Sequence, residues 1–161
     1  AAKGRPGKSK AKKPEHKHAK KRVAGTWAFT LRCTVEEMTD PVWRLLRVPS
    51  NISLYHFHHV LQAAMEWQDC HLHLFMAGKR EYAPRYAEVE DALDSEKVSL
   101  AEVLSGVGSA ITYNYDFGDD WMVEVRLEAE EPPGKGAVGI ELLDAEGVAP
   151  VEDVLGGIAA W

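Results

Sequence analysis

The stretch "ITYNYDFGDDWMVEVRL", residues 111–127, decides the fold because two alternating segments flank a short polar centre. Apolar side chains occupy every second position on both sides of that centre: Ile111, Tyr113 and Tyr115 before it, then Trp121, Val123, Val125 and Leu127. This period of two predicts two half-buried β-strands. The centre "DFGDD" is typical of a tight turn, in which Gly118 takes a positive φ and aspartates bond backbone amides. The stretch therefore predicts an antiparallel hairpin.

A second hairpin is predicted upstream. The segment "TWAFTLRCTVE", residues 26–36, places a row of apolar side chains on one face: Trp27, Phe29, Leu31, Cys33 and Val35. The segment "VWRLLRV", residues 42–48, reads as the next strand and ends at Pro49. The intervening "MTDP" is a turn sequence. Neighbouring strands joined by a short turn are expected to pair with each other.

The period changes to that of a helix from Ser53 onwards. In "SLYHFHHVLQAAMEW", residues 53–67, apolar side chains recur at helical spacing, and His58 falls on the same stripe. Ser53 or Asn51 is the expected N-cap, and the helix should end near Trp67. The segment "SLAE", residues 99–102, matches a capping box that opens a short helix. Residues 84–98 are expected to form an exposed loop with little regular structure.

These elements predict an α+β fold: a single compact domain with a largely antiparallel sheet packed on one main helix. The domain is expected to cover residues 23–161. Its last stretch, "GVAPVEDVLGGIAAW", is apolar and rich in glycine, so we expect it to pack against the rest.

Residues 1–22 differ from the body in charge. They hold ten Lys or Arg against one Glu, a net charge of +9, whereas residues 23–161 carry −15. Without large apolar side chains this tail is expected to be disordered. Lysine and arginine gain affinity for nucleic acid by releasing its counterions, which suggests non-specific contact. The candidate contacts are Lys8, Lys10, Lys12, Lys13, Lys17, Lys20, Lys21 and Arg22. A solubilising leader, or an arm folded onto the acidic body, also explains this composition.

The composition also bears on partners and location. The acidic body suits a basic protein partner. Two cysteines supply neither a disulfide framework nor a four-thiolate zinc site, so a cytoplasmic setting is expected. No apolar run approaches the roughly 20 residues of a membrane span, and no apolar segment follows the basic start as in a secretory signal. We therefore expect no membrane contact.

Two histidines lie one residue apart in "HLH". On a strand, His71 and His73 project from the same face and are able to reach one metal ion. A third ligand is required, and Asp69, Asp119 or Asp120 is in a position to supply it. This gives a candidate divalent metal site formed by His71, His73, Asp119 and Asp120. The alternative is that both histidines only bond neighbouring groups on a half-buried face, while the aspartates only form a turn.

Other catalytic groups are scarce in the sequence. The serines lie in no nucleophile elbow, and Cys33 points into the predicted core. Cys70 and His71 resemble a nucleophile and base, but adjacent residues on a strand face opposite ways. A role as an enzyme is therefore left open, with no catalytic residue assigned.

Three segments carry a resemblance to a known family: "VWRLLRVPSNISLYHFHHVLQAAMEWQDCHLHLF", "YNYDFGDDW" and "PVEDVLGG". Over residues 26–161 the chain resembles the proteins named after the third open reading frame of an Ri-type plasmid. The residues that match the shared motifs are Trp67, Asp116, Phe117, Gly118, Trp121, Glu152 and Asp153. The resemblance implies a compact α+β domain found on plasmids and transposable elements. It brings no established activity.

The chain departs from the family pattern near its end. Relatives tend to close with "CPPEDVGG", so Ala149 replaces a cysteine, Val151 replaces a proline, and Leu155 is inserted. Some relatives carry a transposon-resolvase label. That chemistry requires an exposed serine nucleophile backed by several arginines around the phosphate, and a body of net charge −15 repels DNA. The sequence therefore argues against resolvase chemistry.

Three functions follow as hypotheses from these observations. The first is a non-catalytic accessory or interaction protein of mobile elements, whose tail contacts nucleic acid. The second is a metal-dependent hydrolase with a His/Asp site, in which a remaining carboxylate acts as general base on metal-bound water. The third is a module that binds a basic protein through its acidic surface.

Overall fold

The computed structural model describes residues 21–152, which contain one sheet of eight strands. The strands are β1 Ala28–Val35, β2 Trp43–Pro49, β3 His73–Ala77, β4 Arg80–Ala83, β5 Leu93–Asp94, β6 Ala110–Tyr115, β7 Trp121–Glu131 and β8 Glu141–Glu146. Their order across the sheet is β5-β4-β3-β6-β7-β1-β2-β8. The β4–β5 pair is parallel and the other six pairs are antiparallel. The helices are α1 Leu54–Met65 and α2 Leu100–Val103. A mostly antiparallel sheet with one main helix is therefore confirmed.

Both predicted hairpins are present in the sheet. Strand β1 pairs with β2 in a register that places Leu31 opposite Leu46, and β6 pairs with β7 with Tyr113 opposite Val123. The alternating apolar residues all point to one face, where Phe29, Leu31 and Tyr113 are fully buried. Burial of each such side chain stabilises the fold by about 1.5–3 kcal/mol.

Helix α1 covers that buried face as its sequence predicts. The hydroxyl of Ser53 accepts a hydrogen bond from the His56 amide at 3.1 Å, which confirms Ser53 as the N-cap. Glu66 adopts a left-handed φ of 59° and ends the helix one residue before Trp67. The inward stripe of the helix packs into the core and consists of Leu54, Phe57, His58, Leu61 and Met65.

The loop after β4 has more regular structure than the sequence suggests. Two short 3-10 turns, Arg85–Ala87 and Ser95–Lys97, flank the parallel pairing of β5 with β4. The pairing places Leu93 beside Tyr82, which is buried, and so ties this acidic segment to the sheet edge. The predicted capping box is confirmed by the bond from the Ser99 amide to Glu102 Oε2 at 2.7 Å.

The "DFGDD" centre is a turn, but its glycine does not provide the positive φ that we expected. Asp116 and Asp120 take the left-handed conformation, with φ of 65° and 54°, and Gly118 does not. The carboxylate of Asp116 accepts bonds from the amides of Gly118 at 2.9 Å and Asp119 at 3.3 Å. Aspartate tolerates this conformation because its side chain bonds nearby backbone. The prediction of the turn is confirmed and the role given to Gly118 is wrong.

Arg22, the last residue of the predicted tail, contacts the body. It donates to Glu130 at 2.9 Å and to the carbonyls of Ala101 and Leu104, and its guanidinium lies 4.7 Å from the centre of the Phe29 ring. These donors are engaged by the fold, and contact of Arg22 with nucleic acid stays a prediction. Lys21 is exposed. The other tail lysines, and Asp153 with the chain end, lie outside the described residues.

The described helices are short. Within residues 21–152 no helix has the length and apolar character that would let it cross a membrane.

Candidate functional site

Three chain segments meet beside α1 and bring two histidines and an aspartate together. His58 lies on the inward stripe of the helix, His73 is the first residue of β3, and Asp69 lies in the connection between them. One ligand atom from each residue falls within 4.8 Å of the others. Both histidines are fully buried, whereas the Asp69 side chain is 37% exposed. The cluster is thus an internal site with one face open to solvent.

The His58 ring is held by hydrogen bonds at both nitrogens. Its Nε2 lies 2.8 Å from Asp69 Oδ1, and its Nδ1 lies 2.6 Å from the hydroxyl of Tyr113. Because a carboxylate only accepts, the proton of the neutral ring belongs on Nε2, and Tyr113 donates to Nδ1. Gln62 donates to the same hydroxyl at 2.9 Å and accepts from the Asp69 amide at 2.8 Å. The four side chains therefore form a closed network.

His73 has no such support. Its ring stacks on that of His58 with centroids 3.5 Å apart and planes 5° from parallel. Neither Nδ1 nor Nε2 of His73 has a hydrogen-bond partner among residues 21–152, although both atoms are buried. Burial, and secondarily the neighbouring His58 and His59, lowers the pKa of His73 to about 3. Burial also lowers the pKa of His58, against the opposing effect of Asp69. Both rings are therefore neutral, and the lone pair of His73 is unpartnered among the described residues.

This donor set matches that of a transition-metal centre. Two imidazoles and one carboxylate bind zinc or non-haem iron, and three protein ligands leave a coordination position free. The stacked rings have parallel lone pairs, so binding of one ion requires one ring to turn about its Cβ–Cγ bond. The hydroxyl of Tyr113 is able to accept a hydrogen bond from His58 Nδ1–H as well as to donate one, so it also supports a His58 bound through Nε2.

The four metal ligands expected from the sequence do not form one site. His73 belongs to the cluster with His58, whereas His71 precedes β3 and turns to Asp116, 3.6 Å from its Nε2. The physical reason is that β3 begins only at His73, so the period of two does not extend back to His71. Among residues 21–152, no group of three or more metal-ligating side chains includes Asp119 or Asp120. Both belong to the hairpin turn, where Asn114 donates to the Asp120 carboxylate at 3.3 Å.

A second cluster lies beside the first and contains Cys70, His71 and Glu152. Glu152 is buried and accepts from the Gln68 amide at 2.5 Å, from the Cys70 thiol at 3.5 Å and from the Tyr115 hydroxyl. The expectation that Cys70 and His71 face apart is wrong, because they lie in the turn before β3 and not on a strand.

Part of the family-motif residues lie beside this second cluster and the rest on the nearby hairpin. Trp67 stacks on Tyr115 with ring centroids 5.0 Å apart and donates to the Pro150 carbonyl at 2.8 Å. Trp121 packs partly buried against the core, while Phe117 and Gly118 are exposed at the tip of the hairpin. The motifs therefore hold the end of the described chain against β3 and β6.

The sequence carries a partial signal for the first cluster. His58 falls on the apolar stripe of α1, where a histidine must either find partners in the core or bind a ligand. Asp69 was one of three alternatives for a third ligand. The stacking of His58 on His73 depends on how α1 crosses β3, a contact between residues 15 positions apart in the chain, and no local pattern reports it.

Comparisons with known proteins agree with these motifs. Residues 27–161 match the family described as plasmid pRiA4b ORF-3-like protein. The chain is 36% identical over 128 residues to an uncharacterized protein, y4hQ, of Sinorhizobium fredii. The alignment covers 78% of this chain and 66% of that protein, so the chain spans slightly less than two thirds of its relative. It is also similar to the crystal structure of MM3350, a protein of unknown function from Methanosarcina mazei Go1. That likeness has a TM-score of 0.71 and 27% identity, and it covers 81% of this chain and 75% of the other. The chain belongs to the plasmid pRiA4b ORF-3-like protein family.

Proposed function

We propose that the protein binds a divalent transition metal through His58, His73 and Asp69 and uses it to activate water for hydrolysis. The observation that carries this proposal is the burial of His73 with both ring nitrogens unpartnered beside His58. A buried polar group without a partner costs about 1–3 kcal/mol in stability. A metal ion bound to His73 would remove this cost. The available donors are those of zinc or iron sites.

The reaction class follows from the open side of the cluster. Three protein ligands leave the fourth position to water, and zinc lowers the pKa of bound water to about 7. The partly exposed Asp69 carboxylate gives solvent access. His59 is 47% exposed, with Nδ1 lying 3.9 Å from Asp69 Oδ2, and is the nearest group suited to receive a proton.

A groove lies along α1 and shares His59 with the surroundings of the cluster, whereas His58, Asp69 and His73 do not line it. It has a volume of about 590 Å³ and lies between α1 and strands β2 and β8. His59 lines both the groove and the approach to Asp69. The rest of the lining is mostly aliphatic and includes Leu46, Ile52, Val60 and Leu142.

Metal content tests the binding step. The full chain, purified without an affinity tag, is analysed for metals beside His73→Phe, which fills the same space without nitrogen, and His56→Ala, an exposed histidine on the same helix. We expect the parent and His56→Ala to hold close to one equivalent more of zinc or iron than His73→Phe does. Equal metal in all three proteins, or none in the parent even after incubation with Zn²⁺, would refute the site.

Hydrolysis is tested separately on the metal-loaded protein. A panel of small ester, amide and phosphoester substrates is assayed with and without chelator, and with His59→Gln. We expect turnover that is lost with chelator and lowered by roughly 10²-fold or more in His59→Gln, the usual contribution of an acid–base group. If the protein held the metal but hydrolysed none of these substrates, the metal site would stand and the hydrolase proposal would be refuted.

A second candidate function rests on the charge division between tail and body. We also propose that the protein is a non-catalytic accessory or interaction protein of plasmids and other mobile elements, whose basic tail contacts nucleic acid without sequence preference. Ten positive residues in the first 22 support this, and one of them, Arg22, bonds to the body. The acidic body repels the same ligand and instead suits a basic protein partner.

Deletion of residues 1–21 tests the tail while keeping the Arg22 contacts. We expect binding of the full chain to duplex DNA to weaken linearly on a plot of log affinity against log salt, because each neutralised phosphate contributes about 0.9 to the slope. Binding should vanish in the truncated protein. Binding that survives truncation with the same salt slope would place the contact elsewhere and contradict the proposal.

A further inference from the structure

We propose a second, separate metal centre, formed by Cys70, His71 and Glu152, that takes a zinc-like ion and ties the chain end to the sheet. One ligand atom from each residue lies within 4.8 Å of the other two. Thiolate, imidazole and carboxylate are the three ligand types that zinc accepts in proteins, with bonds of about 2.0–2.3 Å. Small side-chain rotations bring atoms at these separations onto one ion.

The His71 ring gives an independent reason to expect a ligand. Its Nε2 atom is buried and has no hydrogen-bond partner within residues 21–152. The nearest carboxylate oxygen, Asp116 Oδ2, lies 3.6 Å away, beyond the reach of a good hydrogen bond. An ion bound to this nitrogen and to Cys70 and Glu152 would satisfy it, and Asp116 is close enough to serve as a fourth ligand or to orient the ring.

The surroundings of Glu152 fit a fixed ligand. A buried carboxylate is costly unless it is paired, and Glu152 is 8% exposed. The Gln68 amide and the Tyr115 hydroxyl donate to it, which leaves its orientation defined. Donors of this kind commonly hold metal-binding carboxylates in place. Because Glu152 follows the Trp67–Pro150 contact, an ion here would join residues 150–152 to the turn before β3.

The surroundings of Cys70 disfavour a competing role as a free nucleophile. Desolvation raises the pKa of the Cys70 thiol, and the carboxylate of Glu152 raises it further. Reactive cysteines have the opposite property, because the thiolate is the nucleophile. A divalent cation reverses this effect by deprotonating a coordinated thiol outright. The presence of a thiol and an imidazole also disfavours magnesium and calcium, which prefer oxygen ligands.

Cobalt substitution tests this centre apart from the first one. Metal-free full-length protein is titrated with Co²⁺, and the thiolate-to-cobalt charge-transfer band is followed in the near ultraviolet. We expect the band in the parent, in Cys33→Ala and in His73→Phe, and its absence in Cys70→Ser. His71→Ala and Glu152→Gln should weaken Co²⁺ binding at the band by at least about tenfold, since loss of even an outer-shell partner costs 10–100-fold.

Thiol labelling gives a second readout that does not require Cys70→Ser to fold. In Cys33→Ala, saturating Zn²⁺ should slow the reaction of Cys70 with a thiol reagent at least about tenfold, and chelator should restore it. An unchanged labelling rate, or no cobalt band in the parent, would overturn the centre. A band of equal affinity in both His71→Ala and Glu152→Gln would show adventitious binding by Cys70 alone and would also overturn it. Loss of the band in His73→Phe would mean one shared centre instead of two.

Discussion

The imidazole rings of His58 and His73 lie face to face, with centroids 3.5 Å apart and planes 5° from parallel. One ring completes a hydrogen-bond network with Tyr113 and Asp69, and the other makes no hydrogen bond among the described residues. The proposed metal site rests on this difference between the two rings. The same difference also makes the stability of the metal-free protein sensitive to His73 in a predictable direction.

Replacement of His73 by Phe should stabilise the metal-free protein. The variant removes two buried nitrogens without partners, each of which costs about 1–3 kcal/mol, and keeps a planar ring of similar size. Urea unfolding in chelator measures the change. With Zn²⁺ at 100 times its dissociation constant the parent should gain about 2.7 kcal/mol, and the variant should gain nothing from this site. A loss of stability in chelator would mean that the His73 nitrogens already have partners.

Replacement of Tyr113 by Phe should destabilise the protein. The hydroxyl serves both His58 Nδ1 and Gln62 Nε2 in a fully buried position, so its loss leaves two groups unsatisfied. We expect a cost of about 1–3 kcal/mol in the free energy of unfolding. Tyr86→Phe is the matched control, since Tyr86 is 58% exposed and should change stability by less than about 0.5 kcal/mol. Equal effects of both substitutions would contradict the network.

Asp116→Ala should destabilise the protein more than Gly118→Ala does. The composition of the turn alone suggests the reverse order. Alanine at Asp116 must adopt a φ of 65° and loses the carboxylate that accepts from the Gly118 and Asp119 amides. A cost of about 1–2 kcal/mol follows from the conformation alone. A Cβ at Gly118 meets only the movable Asp116 Oδ1, at 3.3 Å. Thermal unfolding of the two variants, with Asp116→Asn as the tolerated control, checks the order.

Arg44 should be important for stability because it joins three elements. It is 6% exposed and donates to the carbonyl of Ala64 at the end of α1, and to those of Glu146 and Gly147 at the end of β8. Arg44→Met keeps the apolar stem but leaves these carbonyls unsatisfied. We expect a loss of about 2–4 kcal/mol in chemical denaturation. Arg85→Met, at an arginine whose side chain is 80% exposed, should change stability little. A similar small change for Arg44→Met would show that water replaces its contacts.

The two cysteines should differ sharply in reactivity. Cys33 is fully buried in β1, and burial raises the pKa of its thiol far above the ordinary range, whereas Cys70 is exposed. A thiol reagent should therefore modify one cysteine per chain in the metal-free native protein and two in denaturant. Mass spectrometry of the labelled peptide identifies the site. Labelling of Cys33 in the native protein at a rate comparable to Cys70 would mean that β1 opens readily.

Much of the fold could be predicted because its signals are local. Alternation over residues 28–35 and 121–127 identifies strands, and the Ser53 N-cap and the helical stripe identify α1. Each pattern reflects the geometry of one element, so nearby residues are sufficient to reveal it. The edge strand β8 escaped prediction because all six of its residues are exposed, which leaves no buried face to impose a period of two.

The sequence by itself therefore determined the two hairpins, the main helix, the turn at "DFGDD" and membership of the family. Only the tertiary structure decided which histidines meet. His71 and His73 look like a pair because strand geometry projects alternate residues to one face, yet the strand starts at His73 and separates them. His58 joins His73, and Glu152 joins Cys70, through contacts that depend on how α1 and the chain end pack on the sheet. Such contacts form between distant residues at angles set by packing, and no short-range pattern encodes them.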